Sequence, residues 1–381
     1  MNFCFDEKQN EIKETAKIFA IKKLNERLAE KEKSCEFSQA GWKACAEFGL
    51  QGMILPERYG GLAFDLFDVV ATLEGIGYGC RDNGLIFSIN AHIWGSEIAL
   101  SRFGSDALKE KYLASLCNGS MVGANAMTEP NSGSNVYALT TTAVKKDNFY
   151  ILNGTKTFVT NGPIADLFLV YAKTGKSPGF SNISCFLVEK GTKGLSVGKK
   201  FEKMGLRTSP MSEVSFQDCE VHAENLVGKE GMGGIIFNDS MEWERTFILV
   251  NSIGIMEYLI DKCIEYARIR KTGSLPIGKF QSVSNRIADM KARLEASRSL
   301  IYKAVSLKRD SKQSALDSSI AKLNASEAYI KNCQDALLTY GGYGYMTESM
   351  IECELRDALA SSLYSGTSDI QRNIITALLG L

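Results

Sequence analysis

The sequence predicts an α+β protein in three successive parts. These are an N-terminal all-α domain, a middle antiparallel β domain and a C-terminal four-helix bundle. Three observations predict it. Apolar residues recur at helical spacing in the first and last thirds of the chain. Between them, short β-rich runs alternate with Asn-Gly and lone Gly turn signals. Only 6 prolines against 34 glycines leave room for long helices joined by Gly-rich junctions. The expected domains are 1–120, 121–232 and 233–381.

In residues 7–34, Ile12, Ala16, Ile18, Phe19, Ile21, Leu24 and Leu28 recur at mostly helical spacing among Lys and Glu. Gly49, Gly52, Pro56, Gly60 and Gly61 mark a turn-rich connection, and 65–117 return to helical patterning. The middle region carries β-rich runs at Phe149–Leu152, Thr157–Thr160, Leu167–Ala172, Ile183–Val188, Leu195–Val197 and Glu213–Phe216. Asn153-Gly154, Asn161-Gly162, Gly191 and Gly194 read as turns between them. Periodic helical segments then cover 233–271, 279–310, 314–340 and 354–361. Gly341-Gly342-Tyr343-Gly344 and Ser365-Gly366-Thr367 interrupt this part, and four long helices with apolar stripes make a bundle.

Composition excludes several functions. Lys+Arg and Asp+Glu number 44 each in 381 residues, so there is no basic footprint for nucleic acid. His92 and His222 are the only histidines, too few for His-based metal sites or triads. His92 reads as a packed or solvated residue. The ten cysteines, from Cys4 to Cys353, form no C-x-x-C pair, which argues against zinc ribbons and thioredoxin-type redox motifs. Residues 1–20 lack a signal-peptide core and no long apolar run exists. The expectation is a cytoplasmic protein with reduced thiols and no membrane span.

P-loop and nicotinamide-type glycine fingerprints are absent. Ser132-Gly133-Ser134 and Ser365-Gly366-Thr367-Ser368 remain as turns whose free N–H groups suit a phosphate or act as ordinary caps. Ser368-x-x-Gln371 has the form of a capping box. On the segment 237–248, Phe237, Met241, Glu244 and Ile248 share one helical face. A carboxylate on an apolar stripe is either ion-paired or held with a raised pKa, as a general base requires. Arg245, one step round, is expected to point elsewhere and is free to bind an anion.

Seven stretches, in order, resemble the acyl-CoA dehydrogenase family. They are Ala126–Ser134, Gly154–Gly162, Lys203–Ser209, Glu244-Arg245, Tyr266–Arg270, Tyr340–Tyr345 and Ser365–Arg372. The resemblance implies an FAD enzyme in which a base removes the proton α to a thioester carbonyl and the β-hydride passes to the flavin. It implies that Met127, Thr128 and Phe158 lie along the flavin and that Thr160 bonds it. Ser134 would sit near the flavin or the substrate arm, and Arg245 near the arm's entry. Arg270 and Gln281 would reach the FAD of a neighbouring subunit. Gly341 and Gly342 would let backbone approach the cofactor, and Thr367 with Asp369 would cap it.

Most of the family carries the base just before the C-terminal Gly-Thr. Here that residue is Ser365, which is no base at neutral pH. A smaller group carries Glu before Arg on the helix, as Glu244 does here, so the resemblance assigns the base to Glu244. Asn135, Gly273-Ser274 and Leu338 depart from the family pattern, the last two where a neighbour would clasp the FAD. The stretch Tyr78–His92 and Ser365-Gly366-Thr367 resemble the biosynthetic group that oxidises aminoacyl, including prolyl, thioesters on carrier proteins. An isovaleryl-type CoA ester dehydrogenase and a redox-inactive thioester-binding protein are the alternatives. The implied acceptor is an electron-transfer flavoprotein or oxygen, and the implied assembly a homotetramer or dimer.

Overall fold

The computed structural model describes residues 5–175 and 179–381. Cys4 lies outside them. Seven helices come first: α1 (Glu7–Lys23), α2 (Leu28–Ser34), α3 (Gln39–Glu47), α4 (Leu66–Gly79), α5 (Asn83–His92), α6 (Ile98–Phe103) and α7 (Asp106–Cys117). Between α5 and α6, Ile93–Glu97 wind as one π turn. The β region follows: β1 (Gly123–Ala126), β2 (Thr142–Lys146), β3 (Phe149–Thr160), β4 (Leu167–Lys173), β5 (Ile183–Glu189), β6 (Leu195–Val197), β7 (Met211–His222) and β8 (Leu226–Val227). The chain then forms α8 (Gly233–Phe247), α9 (Val250–Ile269), the short pair β9 (Lys271–Thr272) and β10 (Leu275–Pro276), and α10 (Gln281–Arg309). It closes with α11 (Ala315–Tyr340), α12 (Ile351–Leu359) and α13 (Ser368–Leu378).

The helices start where the sequence supplies caps. Asp6 and Gln9 close a reciprocal capping box on α1. Asp65, Asp82 and Ser105 each accept a first-turn N–H at α4, α5 and α7. The helical segment expected over 233–271 is two helices: the chain turns at Ile248-Leu249, and the Leu249 carbonyl accepts from both Ser252 N–H at 3.1 Å and Ser252 Oγ at 2.6 Å. N-terminal and C-terminal helices share one apolar core, into which α4 is sunk along nearly its whole length. Glu74 at its centre is fully buried. It accepts from Tyr302 at 2.8 Å and pairs with Lys13 and Arg298.

The sheet runs in the order β6-β7-β3-β2-β4-β5-β8, with β1 beside β4. It is antiparallel except that β1 pairs β4 in parallel, and β2 meets β4 in parallel at Thr142 and Lys173. The β2–β3 hairpin separates β1 from β4 in the chain and carries it back to the same end, as a parallel pair needs. The expected turn at Asn153-Gly154 is instead a bulge inside the continuous strand β3. Gly154 has φ +149°, and a Cβ there would stand 2.4 Å from Thr141 Oγ1. Glycine is required by close approach, not by chain reversal. Asn153 in turn exchanges hydrogen bonds with Asp218 on β7.

The three parts are riveted by polar side chains. Arg81 and Asn83 donate to Glu354, Asn83 also donates to Asp357, and Leu206 N–H donates to Asp357. Burial pushes the Asp357 carboxyl up to about 7. Glu32, Cys353 and Asp357 converge there, yet Glu32 is taken by Arg356. The cluster is a junction between domains. Among the described residues no helix is long and apolar enough to cross a membrane, and nine cysteines are free thiols.

Candidate active site

Glu244 lies near the C-terminal end of α8, on the face that also buries Met241 and Ile248. Its carboxylate Oε1 accepts a hydrogen bond from Ser365 Oγ at 2.5 Å. Burial pushes the Glu244 carboxyl up. The Ser365 hydrogen bond and the charges of Arg245 and Lys322 pull against that rise, and burial wins.

Ser365 belongs to the turn that leads into α13. It adopts φ +56°, a left-handed conformation that costs a non-glycine residue of order 1 kcal/mol or more. Two side chains hold it there. Lys322 of α11 donates to the Ser361 carbonyl at 2.9 Å and the Gly366 carbonyl at 2.8 Å. Gln371 of α13 donates to the Ser365 carbonyl at 3.1 Å and the Gly366 carbonyl at 3.0 Å. The capping box expected at Ser368 is therefore absent. Thr367 is the N-cap, its hydroxyl accepting from Ile370 N–H at 3.2 Å, and Gln371 reaches back to the turn instead.

Arg245, one step round α8, is half-buried, and its charge favours the ionised form of Glu244 and disfavours that of Lys322. Burial lowers its pKa, and its Nε is buried with no hydrogen-bond partner. It forms no ion pair among the described residues. Burial, and after it the Arg245 charge, pushes the Lys322 ammonium down to about 7. A carboxylate, the hydroxyl that donates to it and a cation with no ion pair among the described residues thus act on one another.

A second group sits where β1 meets β3. Thr157 N–H donates to the Thr128 carbonyl at 2.8 Å, and Lys156 Nζ donates to the Met127 carbonyl at 3.1 Å. Lys156 also pairs with the buried Glu129 at 2.8 Å. Thr128 and Thr160 hydroxyls make no hydrogen bond among the described residues. Phe158 occupies a left-handed conformation, φ +54°, and is 64% exposed with its ring 5.8 Å from that of Phe201. An exposed aromatic held in a strained conformation on the sheet marks a surface shaped for a planar ligand.

A third group gathers at a cavity of about 560 Å³ between the end of α9 and the turn after α11. Arg270, Tyr340, Gly341, Gly342 and Tyr343 line it. A Cβ at Gly341 or Gly342 would meet nothing within 4 Å, and Gly341 has φ +62°. The wall is open to a bound group, and Arg270 supplies a cation beside it. These three features, the free threonine hydroxyls, the exposed Phe158 and the open glycine wall with its arginine, fit FAD.

Other expected residues stand apart. Ser134 is exposed on the loop before β2 with no hydrogen bond among the described residues, and the Asn135 carbonyl accepts from Ser132 Oγ at 2.6 Å and from Ala138 N–H at 3.1 Å. Gln281 opens α10 on the surface. Asp369 pairs with Arg372 at 3.1 Å on the exposed side of α13. Gly273 and Ser274 form the turn between β9 and β10, with Gly273 at φ +57°. Leu338 is half exposed on α11. His92 is buried and structural: its Nδ1 accepts from Gly123 N–H at 2.8 Å. Lys322 and Gln371 carried no motif signal as partners of the base, since only the folded turn shows what they hold.

The fold and the pocket define a protein that can bind a planar cofactor on its sheet and remove a proton with a desolvated carboxylate. Family models for the N-terminal, middle and C-terminal domains of acyl-CoA dehydrogenases match residues 6–120, 124–219 and 231–380. An L-prolyl-[peptidyl-carrier protein] dehydrogenase of Serratia is 41% identical, covering 100% of this chain and 99% of that protein. A protein of the same name from Pseudomonas fluorescens is 36% identical over the whole of both chains. The prolyl acyl carrier protein oxidase AnaB superposes with TM-score 0.98 at 45% identity, over 99% of this chain and 100% of that one. PigA with FAD and proline gives TM-score 0.98 at 40% identity over the whole of both chains. The chain belongs to the acyl-CoA dehydrogenase family.

Proposed function

We propose that the protein uses FAD to oxidise the prolyl group of a carrier-protein thioester across its α,β bond. The observation that carries the reading is the half-buried Glu244 carboxylate, hydrogen-bonded by Ser365 and with no ion pair among the described residues. The similarity to prolyl-carrier dehydrogenases and to AnaB supports the choice of acyl group.

Glu244 takes the α-proton, and its raised pKa makes it a strong enough base to do so. Arg245, with no carboxylate paired to it, is free to bind an anionic part of the thioester arm, and Ser134 flanks that arm. Bound FAD would accept the β-hydride, with Met127, Thr128 and Phe158 along its ring and Thr160 as a hydrogen-bond donor. Arg270, Gln281, Gly341 and Gly342 hold the FAD of a neighbouring subunit, with Thr367 and Asp369 at its cap. That arrangement implies a homotetramer or dimer. The electrons pass to an electron-transfer flavoprotein or oxygen, and the compartment is the cytoplasm.

The test is an anaerobic titration of the oxidised flavin band. Prolyl-carrier protein is added in one cell and isovaleryl-CoA in the other. Bleaching by the carrier substrate alone is expected. Bleaching by the CoA ester alone would move the protein to acyl catabolism. A protein that reconstitutes no yellow flavin would be a binding protein without redox chemistry.

A further inference from the structure

The helical run from Asn83 to Phe103 changes register once. Ile93–Glu97 wind as a π turn between α5 and α6, closed by Ile98 N–H donating to the Ile93 carbonyl five residues back. The turn lies against α8 in two places. A Cβ built on Gly95 would stand 3.7 Å from Glu244 Oε2, and the Trp94 ring stacks on that of Phe247 with centroids 4.7 Å apart. Trp94 is itself anchored, its Nε1–H donating to Asn90 Oδ1 at 2.7 Å. Gly95 is buried, so the backbone there covers one side of the base.

A polar pair sits at the two ends of that turn. His92 and Glu97 are both fully buried, and Glu97 Oε1 lies 3.4 Å from His92 Nε2. They are five residues apart. On an α-helix the neighbours on one face are three or four apart, and the fifth residue has turned away. A π turn, with its i→i+5 bond, brings the fifth residue back. His92 is fixed from outside the helix: its Nδ1 accepts from Gly123 N–H of β1 at 2.8 Å, and its Nε2 faces the Leu116 carbonyl at 3.2 Å. With Nδ1 accepting, the ring carries its one proton on Nε2 and is neutral. Among the described residues no Lys or Arg pairs with Glu97. The Cys117 thiol on α7, the other titratable group that the Glu97 charge reaches, is pushed up to about 11 by burial and is neutral too. Burial without a cation pushes the Glu97 carboxyl up and leaves it a neutral acid.

We infer that Glu97 is a positioning residue: against the fixed His92 imidazole it sets the register of the π turn and so holds Gly95 against the Glu244 carboxylate. The inference rests on the reading that Glu244 is the base. Without the pair the turn is free to relax toward α-helical register, which swings Gly95 and Trp94 off α8. The base then meets more water, and its carboxyl falls toward its ordinary value. A residue that served packing alone would change stability and leave the titration of the base where it was.

The experiment follows flavin bleaching by prolyl-carrier protein across pH, with melting temperatures beside it, in the FAD-loaded wild type, Glu97→Leu and Glu97→Gln. The acidic limb of kcat/KM reports the base in the free enzyme. Glu97→Leu keeps bulk but offers nothing to the His92 N–H. Its limb is expected about one pH unit lower, and its plateau rate about 3- to 10-fold lower. Glu97→Gln, neutral like the acid it replaces and with an amide oxygen for His92, is expected to restore both. A Glu97→Leu protein that melts lower with its limb in place overturns the inference and leaves Glu97 to packing. A Glu97→Gln limb displaced as far as that of Glu97→Leu overturns it as well. If Glu97→Leu holds no flavin, Glu97→Met is read by the same limb. Glu244→Gln separates this inference from the reading beneath it. If Glu244→Gln bleaches as fast as the wild type, the base lies elsewhere and both fall. If Glu244→Gln is inactive and the Glu97→Leu limb has not moved, the inference alone falls.

Discussion

Glu129 is a buried carboxylate and Glu244 a half-buried one, and the protein treats them oppositely. Glu129 accepts from Thr140 N–H, Thr140 Oγ1 and Thr141 N–H, and it pairs with the buried Lys156. Burial alone would push its carboxyl up, but the Lys156 charge and these donors override burial and hold it at about 2. Glu244 has one hydroxyl donor and no ion pair, so burial prevails and its carboxyl rises. The first arrangement leaves a carboxylate with nothing to do but hold the loop 129–141 against β3. The second leaves it able to take a proton. Where donors saturate a buried acid it is architecture, and where they fall short it is chemistry.

Removing the two carboxylates one at a time breaks the comparison most directly. Glu244→Gln is expected to lower the rate of flavin bleaching about 100- to 10,000-fold. The same change is expected to raise the melting temperature at neutral pH. The sign follows from linkage: a carboxyl whose folded pKa is raised contributes stability below its unfolded pKa and loses it as pH rises through the folded value. At pH 7 the wild type therefore carries the cost of a buried charge that Gln lacks. The gap should narrow as pH falls, and an inactive variant that is also less stable at pH 7 would contradict the scheme. Glu129→Gln should do the reverse. It leaves Lys156 as an unpaired buried cation, a loss of about 3–5 kcal/mol in denaturant midpoint experiments. The base would keep its own pH profile in whatever fraction stays folded.

Much of this contrast was legible in the sequence, and the illegible part has a physical cause. Helical periodicity puts Glu244 on an apolar face, and the family resemblance, with Ser365 where most members carry the base, assigns the base to it. Periodicity also separated helical from β regions, because burial of one face imposes a period on any element. Asn153-Gly154 read as a turn because local chemistry permits reversal there. The actual constraint is Thr141 crowding Gly154, a contact between residues from different strands. Serine is no base at neutral pH, and nothing local shows that Ser365 donates to Glu244, a contact between positions 121 residues apart. Lys322 lies in the helical stretch 314–340, where no neighbouring residue marks it. Helix geometry turns Arg245 one step round from Glu244, yet its charge still acts on that carboxylate. Tertiary partners carry no local signature.

Lys322→Met sharpens the comparison from the scaffold side. Glu129 is fixed by the group that neutralises it, whereas the turn beside Glu244 is fixed by Lys322 without a direct bond to the base. Methionine fills similar space but leaves the Ser361 carbonyl without its donor and the Gly366 carbonyl with Gln371 alone. A destabilisation of about 1–3 kcal/mol is expected, read from urea midpoints. The rate should fall less than in Glu244→Gln, since Gln371 still holds the Ser365 carbonyl. A loss of rate as large as that of Glu244→Gln would give Lys322 a direct part in proton transfer.

Ser365→Ala is the smallest and most discriminating change. It deletes the single hydrogen bond that pulls the Glu244 carboxyl back toward its ordinary value, so the carboxyl should rise further. In a pH profile of kcat/KM the acidic limb should move to higher pH. Near that limb the variant should be slower by about 3- to 10-fold, the worth of one hydrogen bond. Well above the limb the carboxylate is ionised in both proteins, and the variant's base is the more basic of the two, so the deficit should shrink. Alanine also keeps the left-handed turn no easier than serine did, so the backbone is a shared burden and does not confuse the comparison. If the deficit is instead constant with pH, Ser365 positions Glu244 without tuning it. The contrast with Glu129 would then lie in geometry and not in the number of donors.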